Sequence, residues 1–156
     1  IKQFFQNFKK DQRGLTLVEL LAVIVILAII GLIAFIAIGN VIDNSRQDSH
    51  VANAQQIISA AELFEASGGT VPVKSDTGED KDKVNIDELD TLPNDIADPW
   101  GKDGDESYLG AFTLTYQGEG NFTITSDHDN CKFDDPQTKS DLARKGRDAC
   151  EDDNDN

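Results

Sequence analysis

The chain has 156 residues and a formal net charge of −15, from 29 acidic and 14 basic side chains. The part that begins at Asp43 is strongly acidic, so its surface repels nucleic acid phosphates and direct DNA binding is not expected. The sequence contains no nucleophile elbow, phosphate-binding loop or supported pair of catalytic carboxylates, which argues against an enzyme.

The first 14 residues are polar and basic, and we expect them to form a frayed leader peptide, residues 1–14. They hold four cations and one carboxylate, namely Lys2, Lys9, Lys10, Arg13 and Asp11. A basic segment that precedes an apolar one stays on the cytoplasmic side of a membrane. We therefore predict a cytoplasmic N-terminus and export of the acidic part.

An apolar run of 24 residues follows, Leu15–Ile38, in which Glu19 is the only ionisable side chain. About 20 such residues suffice to span a bilayer, so we predict a membrane-spanning helix over residues 15–39 that begins near Leu15 or Thr16. The run is longer than the core of an ordinary secretory signal, and no small-x-small cleavage site follows it. Glu19 is the anomaly, because a carboxylate at membrane depth costs roughly 2.5–3.5 kcal/mol and usually has a partner.

The segment RGLTLVE, residues 13–19, resembles the class III signal of type IV prepilins and pseudopilins. The resemblance implies that a prepilin peptidase cuts after Gly14 and that Leu15 becomes a methylated N-terminus. It also implies that Glu19 pairs with the N-terminal amine of a neighbouring subunit during assembly. The alternative for Glu19 is a carboxylate that snorkels to the interface at the end of a plain membrane anchor.

This chain departs from the family pattern at two positions. The family most often has Phe in the place of Leu15, and many members have Pro in the place of Ile36. A kink in the helix is therefore less secure, although Gly31 and Gly39 could loosen it.

The resemblance also implies partners and a location. It implies a homo-oligomer in the form of a helical filament, with apolar helices in the shaft and acidic heads outside. An inner-membrane assembly platform and an ATPase would transfer the subunit from the cytoplasmic membrane to an extracellular filament at the cell surface.

The helix is predicted to continue as an amphipathic half over residues 40–68. Apolar residues recur at intervals of three and four, which predicts one buried helical face: Val51, Ala54, Ile58, Ala61 and Phe64. The pair Gly68-Gly69 is predicted to end the helix. The segment 70–98 reads as irregular and charged, with an exposed loop at 75–83 and a short helix at Ile86–Leu92.

Residues Ala97–Gly101 (ADPWG) resemble a DPWG segment in the head of major pseudopilins of general secretion systems. The resemblance implies that Trp100 packs between a loop and the helix. We expect Trp100 to anchor the core, with stacking on a ligand as the alternative.

Two strands with alternating apolar residues follow, Ala111–Gln117 and Asn121–Ser126, joined by Gly118-Glu119-Gly120. Because a lone hairpin is marginal, we expect the helix, Tyr108 or the region near Lys132-Phe133 to cover it. Polar loops are expected after Cys131, then a short helix at Lys139–Arg147. The predicted fold is α+β, with a long helix packed on a small antiparallel sheet in a head over residues 69–150, and an acidic disordered tail at 151–156.

Cys131 and Cys150 are the two cysteines of the chain. Disulfides persist in oxidising compartments, so we predict a Cys131–Cys150 bridge for an exported head. The alternative is two free thiols in a reducing compartment. A zinc site made from these cysteines with His50 and His128 would fit no standard spacing.

Four carboxylates, Asp127, Asp129, Asp134 and Asp135, cluster around the end of the second predicted strand. Carboxylates on a loop can hold calcium, and some pseudopilins that resemble this chain bind calcium in the corresponding loop. The spacing is not that of an EF-hand, and a solvated acidic loop is the alternative. No other cofactor is expected.

Three polar positions have simple readings. His50 and His128 are predicted to be ordinary surface residues. The triplet Asn121-Phe122-Thr123 matches an N-glycosylation acceptor, a common pattern whose placement on a strand weakens it.

Three functions compete for this sequence. The first is a structural subunit of a type IV pilus-like filament, with roles in adhesion, motility or surface attachment. The second is a pseudopilin of a type II secretion or competence DNA-uptake system, which the DPWG segment favours. The third is a monomeric membrane-anchored surface binding protein that never polymerises.

Overall fold

A computed structural model describes residues 2–74, 77–78, 80–93, 96–101 and 108–150, with side chains described from Thr16 onward. Its elements are α1 (Lys2–Ala66), β1 (Phe112–Gly118), β2 (Asn121–His128), β3 (Cys131–Gln137) and α2 (Lys139–Lys145). Three short 3₁₀ turns, Ile86–Glu88, Leu109–Ala111 and Gly146–Ala149, complete them. The predicted α+β class is confirmed. The predicted acidic tail, residues 151–156, lies outside the described residues.

Helix α1 is continuous from Lys2 to Ala66. The predicted start near Leu15 and the frayed leader are wrong, because nothing in residues 2–14 breaks a helix. That segment contains no Pro, and Gly14 costs only about 1 kcal/mol relative to Ala in a helix interior. The helix ends where Gly68-Gly69 predicted, since Gly68 has a φ of +88° and its N–H donates to the carbonyl of Glu65 at 2.9 Å.

The chain divides into two compact units, residues 1–42 and residues 43–156. The first unit consists of the N-terminal part of α1. The second unit, called the head here, contains the rest of α1, the sheet and α2. The predicted boundaries of leader, membrane segment and amphipathic half remain predictions.

The head contains a three-stranded antiparallel sheet in the order β1-β2-β3. The predicted hairpin is confirmed: Leu114 pairs with Ile124, and the connecting residues Gly118, Glu119 and Gly120 have φ values of +90°, +52° and +75°. Glycine tolerates this left-handed backbone without strain, which explains its presence on both sides of Glu119.

Strand β3 replaces the polar loops that were expected after Cys131. Its Phe133 pairs with Ser126 of β2, and Cys131 and Phe133 are buried while Lys132 and Asp134 between and beyond them are exposed. The strand lies at the sheet edge and carries charges and a proline, which is how natural edge strands avoid pairing with other chains. This composition hides the alternation that would otherwise predict a strand.

The other edge of the sheet is partly covered by residues 82–84. The N–H of Val84 donates to the carbonyl of Leu114, and the N–H of Tyr116 donates to the carbonyl of Asp82, both at 2.7 Å. Part of the segment predicted as an exposed loop therefore docks on β1. Of the short helix predicted at Ile86–Leu92, the structure forms only the 3₁₀ turn Ile86–Glu88.

The core of the head lies between the second half of α1 and one face of the sheet. The predicted helical stripe is confirmed, with four members almost fully buried and Phe64 partly buried: Val51, Ala54, Ile58 and Ala61. The sheet contributes Leu114, Ile124 and Phe133, and α2 contributes Leu142. Each such aliphatic or aromatic side chain stabilises the fold by about 1.5–3 kcal/mol when it leaves water.

The C-terminal segment contains a capped helix and is joined to β3 by a covalent bond. Thr138 and Asp141 form a reciprocal capping box at the start of α2, which holds the pKa of the Asp141 carboxyl at about 2 through the hydroxyl of Thr138 and the guanidinium of Arg144. The predicted disulfide between Cys131 and Cys150 is present, with 4.6 Å between their Cα atoms.

Candidate functional site

The N-terminal part of α1 exposes an apolar surface on every side. All side chains from Thr16 to Ile42 are exposed, including Leu17 at 69% and Phe35 at 80%. The most apolar 18-residue window has a mean hydropathy of 3.4 with none of its surface buried, so by length and composition this helix can cross a membrane. An apolar surface of this extent marks contact with lipid or protein, because water alone does not stabilise it.

Glu19 is the only carboxylate between residues 15 and 42. It is exposed, and none of the side chains that the structure describes forms an ion pair with it. The side chains of Gly14 and Leu15 lie outside the described residues, but the helical backbone runs through both. In a helix, positions 15 and 19 share one face about one turn apart.

Cleavage after Gly14 would change the electrostatics of this face. In the uncut helix the N–H groups of residues 15–18 donate to leader carbonyls, and a cut would leave those groups without helical partners beside a new ammonium. Both the ammonium and the end of the helix dipole are positive. A carboxylate on that face, such as Glu19 of the same or another copy, would then gain a cationic partner in a low-dielectric setting.

A second polar site lies inside the head, around His50. Its side chain is fully buried, against the prediction of a surface residue. The Nδ1 atom lies 2.9 Å from the hydroxyl of Tyr108, and the Nε2 atom lies 2.8 Å from the Oγ of Ser126. The ring also stacks on Phe112, with 4.7 Å between centroids. His50 therefore joins helix α1 to the sheet and to the segment before it.

The hydrogen bonds around His50 form one directional chain that fixes its tautomer. Asn53 Nδ2 donates to the Tyr108 hydroxyl at 2.9 Å, which leaves that hydroxyl to donate to Nδ1 of His50. The Ser126 hydroxyl donates to the carbonyl of Cys131 at 3.2 Å, so it accepts from Nε2–H of His50. A neutral imidazole protonated on Nε2 satisfies every member of this chain.

Burial lowers the pKa of His50 to about 3, with a smaller contribution from the neighbouring His128 and an opposing one from Asp98. Burial likewise raises the pKa of Tyr108 to about 12. Both groups are therefore neutral across the ordinary pH range, as the hydrogen-bond chain requires.

His128 is largely covered rather than a free surface residue. Its Nε2 atom lies 3.7 Å from the Asp98 carboxylate, and the ring of Trp100 stacks on it with 4.7 Å between centroids. Trp100 is partly buried against the core, as the sequence predicted. The backbone N–H of Trp100 donates to Asp98 at 2.9 Å, so the ADPWG segment is fixed on the sheet by one compact turn.

The burial of His50 could have been found from spacing. His50 lies four residues before Ala54 and seven before Ile57, so it falls on the same helical face as the apolar stripe. Residue type alone predicts a surface histidine, whereas the position of His50 in the helix predicts burial.

The four aspartates of the candidate calcium site do not form a compact ligand set. Lys132 Nζ lies 3.3 Å from Asp127 and 3.9 Å from Asp134. Within the described part of the chain, no group of three or more His, Cys, Asp or Glu side chains could hold a metal ion. The calcium site at Asp127, Asp129, Asp134 and Asp135 remains a prediction.

The glycosylation triplet begins at the turn into β2. Asn121 is exposed, whereas Thr123 is buried and accepts a hydrogen bond from Gln117 at 3.2 Å. The triplet is therefore only half accessible in the folded head.

Comparison with known proteins gives one finding. Residues 9–35 match the family model of the prokaryotic N-terminal methylation motif, the class III signal of type IV pilins and pseudopilins. No curated protein and no solved structure matches the chain. The matched segment contains Gly14, Leu15 and Glu19, and it supports a type IV pilin- or pseudopilin-like protein.

The motif has implications for processing, for membrane anchoring and for the class of protein. It implies processing by a prepilin peptidase and assembly in a pilus-like system. Together with the apolar helix it fits membrane anchoring before assembly. Proteins of the pilin-like class are structural rather than enzymatic.

Proposed function

We propose that this chain is the structural subunit of a type IV pilus-like filament and that it polymerises through the N-terminal part of α1 after the leader is removed. The observation that carries the proposal is the complete exposure of an apolar helical segment whose one carboxylate lies one turn from the proposed cleavage site. The match to the methylation motif supports the same role.

Apolar packing and charge pairing contribute differently to assembly. Apolar side chains gain little from leaving lipid for other helices, since the two surroundings are similarly apolar, so packing alone gives no strong direction to assembly. In a low-dielectric shaft, a carboxylate and an ammonium attract each other strongly only in the axial alignment that places them face to face. Adjacent alignments lose most of this attraction. Glu19 therefore sets the axial register, and the assembly machine supplies the energy of extraction from the membrane.

The test replaces Glu19 and collects sheared surface fibres. Glu19→Gln keeps the shape of the side chain and removes its charge. We expect fibre yield to fall by about 100-fold, because breaking a desolvated charge pair leaves the partner charge buried and unpaired. Asp90→Asn, which removes an exposed head carboxylate, is the matched control and should leave yield unchanged. Electron microscopy with N-terminal sequencing of the fibre subunit, expected to begin at Leu15, completes the measurement.

A plain anchor should tolerate Glu19→Gln, and material that carries an intact leader with no polymer would contradict the filament role.

The second candidate is a pseudopilin of a type II secretion or competence system, favoured by the ADPWG segment. In that case electron microscopy should detect only short membrane-proximal fibres, and Glu19→Gln should reduce secretion or DNA uptake instead of surface fibre yield.

A further inference from the structure

The net charge of the mature subunit would lie entirely in the head. Residues 43–156 contain 27 Asp and Glu against 10 Lys and Arg, a net charge of −17. Residues 15–42 contain Glu19 and no Lys or Arg, so the ammonium created by leader removal would balance them. The neutral, apolar segment can therefore pack against that of a second copy, whereas the strongly anionic head repels the head of a second copy.

The cations of the head are mostly occupied within the chain. Six of those that the structure describes form ion pairs at 2.7–3.5 Å, namely Arg46–Asp43, Lys83–Asp80, Lys132–Asp127, Lys139–Glu62, Arg144–Asp141 and Arg147–Asp48. Lys74, Lys81 and Lys145 form no ion pair with another described residue. Few cations thus remain to attract the carboxylates of another head.

The head follows the apolar segment directly in sequence, because residues 42 and 43 are adjacent. Copies whose apolar segments pack at about 8–10 Å between axes therefore bring their heads into one neighbourhood. Repulsion between like charges extends over a Debye length, about 30 Å at 0.01 M salt and about 3 Å at 1 M. Ionic strength therefore decides whether the heads oppose the packing of the helices.

We propose that the acidic head gates self-association by ionic strength: copies of this chain pack through their apolar segments only where salt screens the heads from one another. The partner is a second copy of this chain. Dissolved cations act by screening the charge of both heads and are not held at one site. This inference rests on the proposed function and adds a condition to it.

The experiment measures association of the chain cut after Gly14, in which the Glu19 carboxylate can pair with the new ammonium, in vesicles of phosphatidylcholine, a neutral lipid. Donor- and acceptor-labelled copies, tagged at the C-terminus, are mixed and energy transfer is followed from 0.01 to 1 M NaCl. We expect the apparent dissociation constant to fall by about tenfold or more across this range as screening shortens the repulsion.

Two variants move the head charge in opposite directions without touching the apolar segment. The variant D87N/D90N/E119Q/D148N reduces the head charge from −17 to −13 and should associate at lower salt, whereas K74Q/K81Q/K145Q increases it to −20 and should need more salt. Emission from Trp100, the single tryptophan, reports that each head remains folded.

Association that does not change with salt, or curves that coincide for all three proteins, would overturn the inference. A complete lack of energy transfer in every protein at 1 M NaCl would also overturn it, because screened copies should pack. The filament role itself is tested separately by sheared fibres and their N-terminal sequence, so its failure can be distinguished from failure of the salt condition.

Discussion

The two halves of helix α1 have the same backbone and opposite surroundings. Residues 16–42 expose apolar side chains on every face, whereas from His50 onward one face is buried under the sheet and the other is polar. Ile33 is 65% exposed and Ile58 is 1% exposed, although both are isoleucines in one helix. Both halves are therefore helical, and they differ in burial. The buried half stabilises the head, and the exposed half is available to lipid or to other copies.

The largest expected effect on the free energy of unfolding comes from an Ile→Ala substitution, compared between the two halves of α1. Ile58→Ala should lower the free energy of unfolding of the head by about 2–5 kcal/mol, because it leaves a cavity in a packed core. Ile33→Ala should leave it unchanged within about 0.5 kcal/mol, as surface substitutions do. Urea unfolding in one detergent, followed by Trp100 fluorescence, measures both.

Leu63 provides the control for position. It lies within the head but is 59% exposed, so Leu63→Ala should behave like Ile33→Ala. Equal destabilisation by all three substitutions would mean that the two halves of the helix are not separated by burial.

The next effect concerns the covalent bond that only the head contains. Replacing Cys131 and Cys150 by Ser should cost about 3 kcal/mol of head stability, because the unfolded chain regains the freedom of a loop closed over a separation of 19 residues. Wild-type protein treated with dithiothreitol should unfold at the same urea concentration as the double variant. Helix association in vesicles should not change, and a change there would show that the two regions depend on each other.

A smaller and pH-dependent effect should arise from His50. Because its folded pKa is about 3, well below the ordinary value of 6.5, the unfolded chain binds a proton that the folded head does not as pH falls below 6.5. The stability due to neutral His50 is complete above pH 6.5 and declines by up to about 1.4 kcal/mol per unit on the way to pH 3.

The measurement compares urea unfolding between pH 7 and pH 4 in three proteins. His50→Gln should reduce this slope and lower stability at pH 7, whereas His128→Gln should retain most of the slope, since burial is the main cause of the shift. The carboxylates are common to all three proteins and cancel in the comparison. Identical slopes for wild type and His50→Gln would contradict the buried neutral imidazole.

Sequence predicted those parts of the molecule that repeat a period or carry a motif. The 3.6-residue stripe from Val51 to Phe64 and the alternation in β1 and β2 give the helix and the hairpin directly. The segment around Gly14 and Glu19 was interpretable because its residue types and spacing are specific, and the methylation motif match agrees with it.

The remaining features depend on long-range contacts that no local pattern encodes. Strand β3 is a strand because β2 lies beside it, while its own charges and Pro136 favour a loop. His50 is buried because Tyr108 and Ser126, distant in sequence, supply a donor and an acceptor for its ring. Residues 2–14 are helical because helix propagation costs little once a long helix exists, even through Gly14.

The packing of α1 within the head also has a mechanical consequence. A pull on the head helix at residue 43 would load the buried stripe directly, because the contacts of that stripe with the sheet hold this part of α1 in place. We expect the contact between helix and sheet to yield first, while the Cys131–Cys150 bridge keeps the C-terminal segment attached to β3.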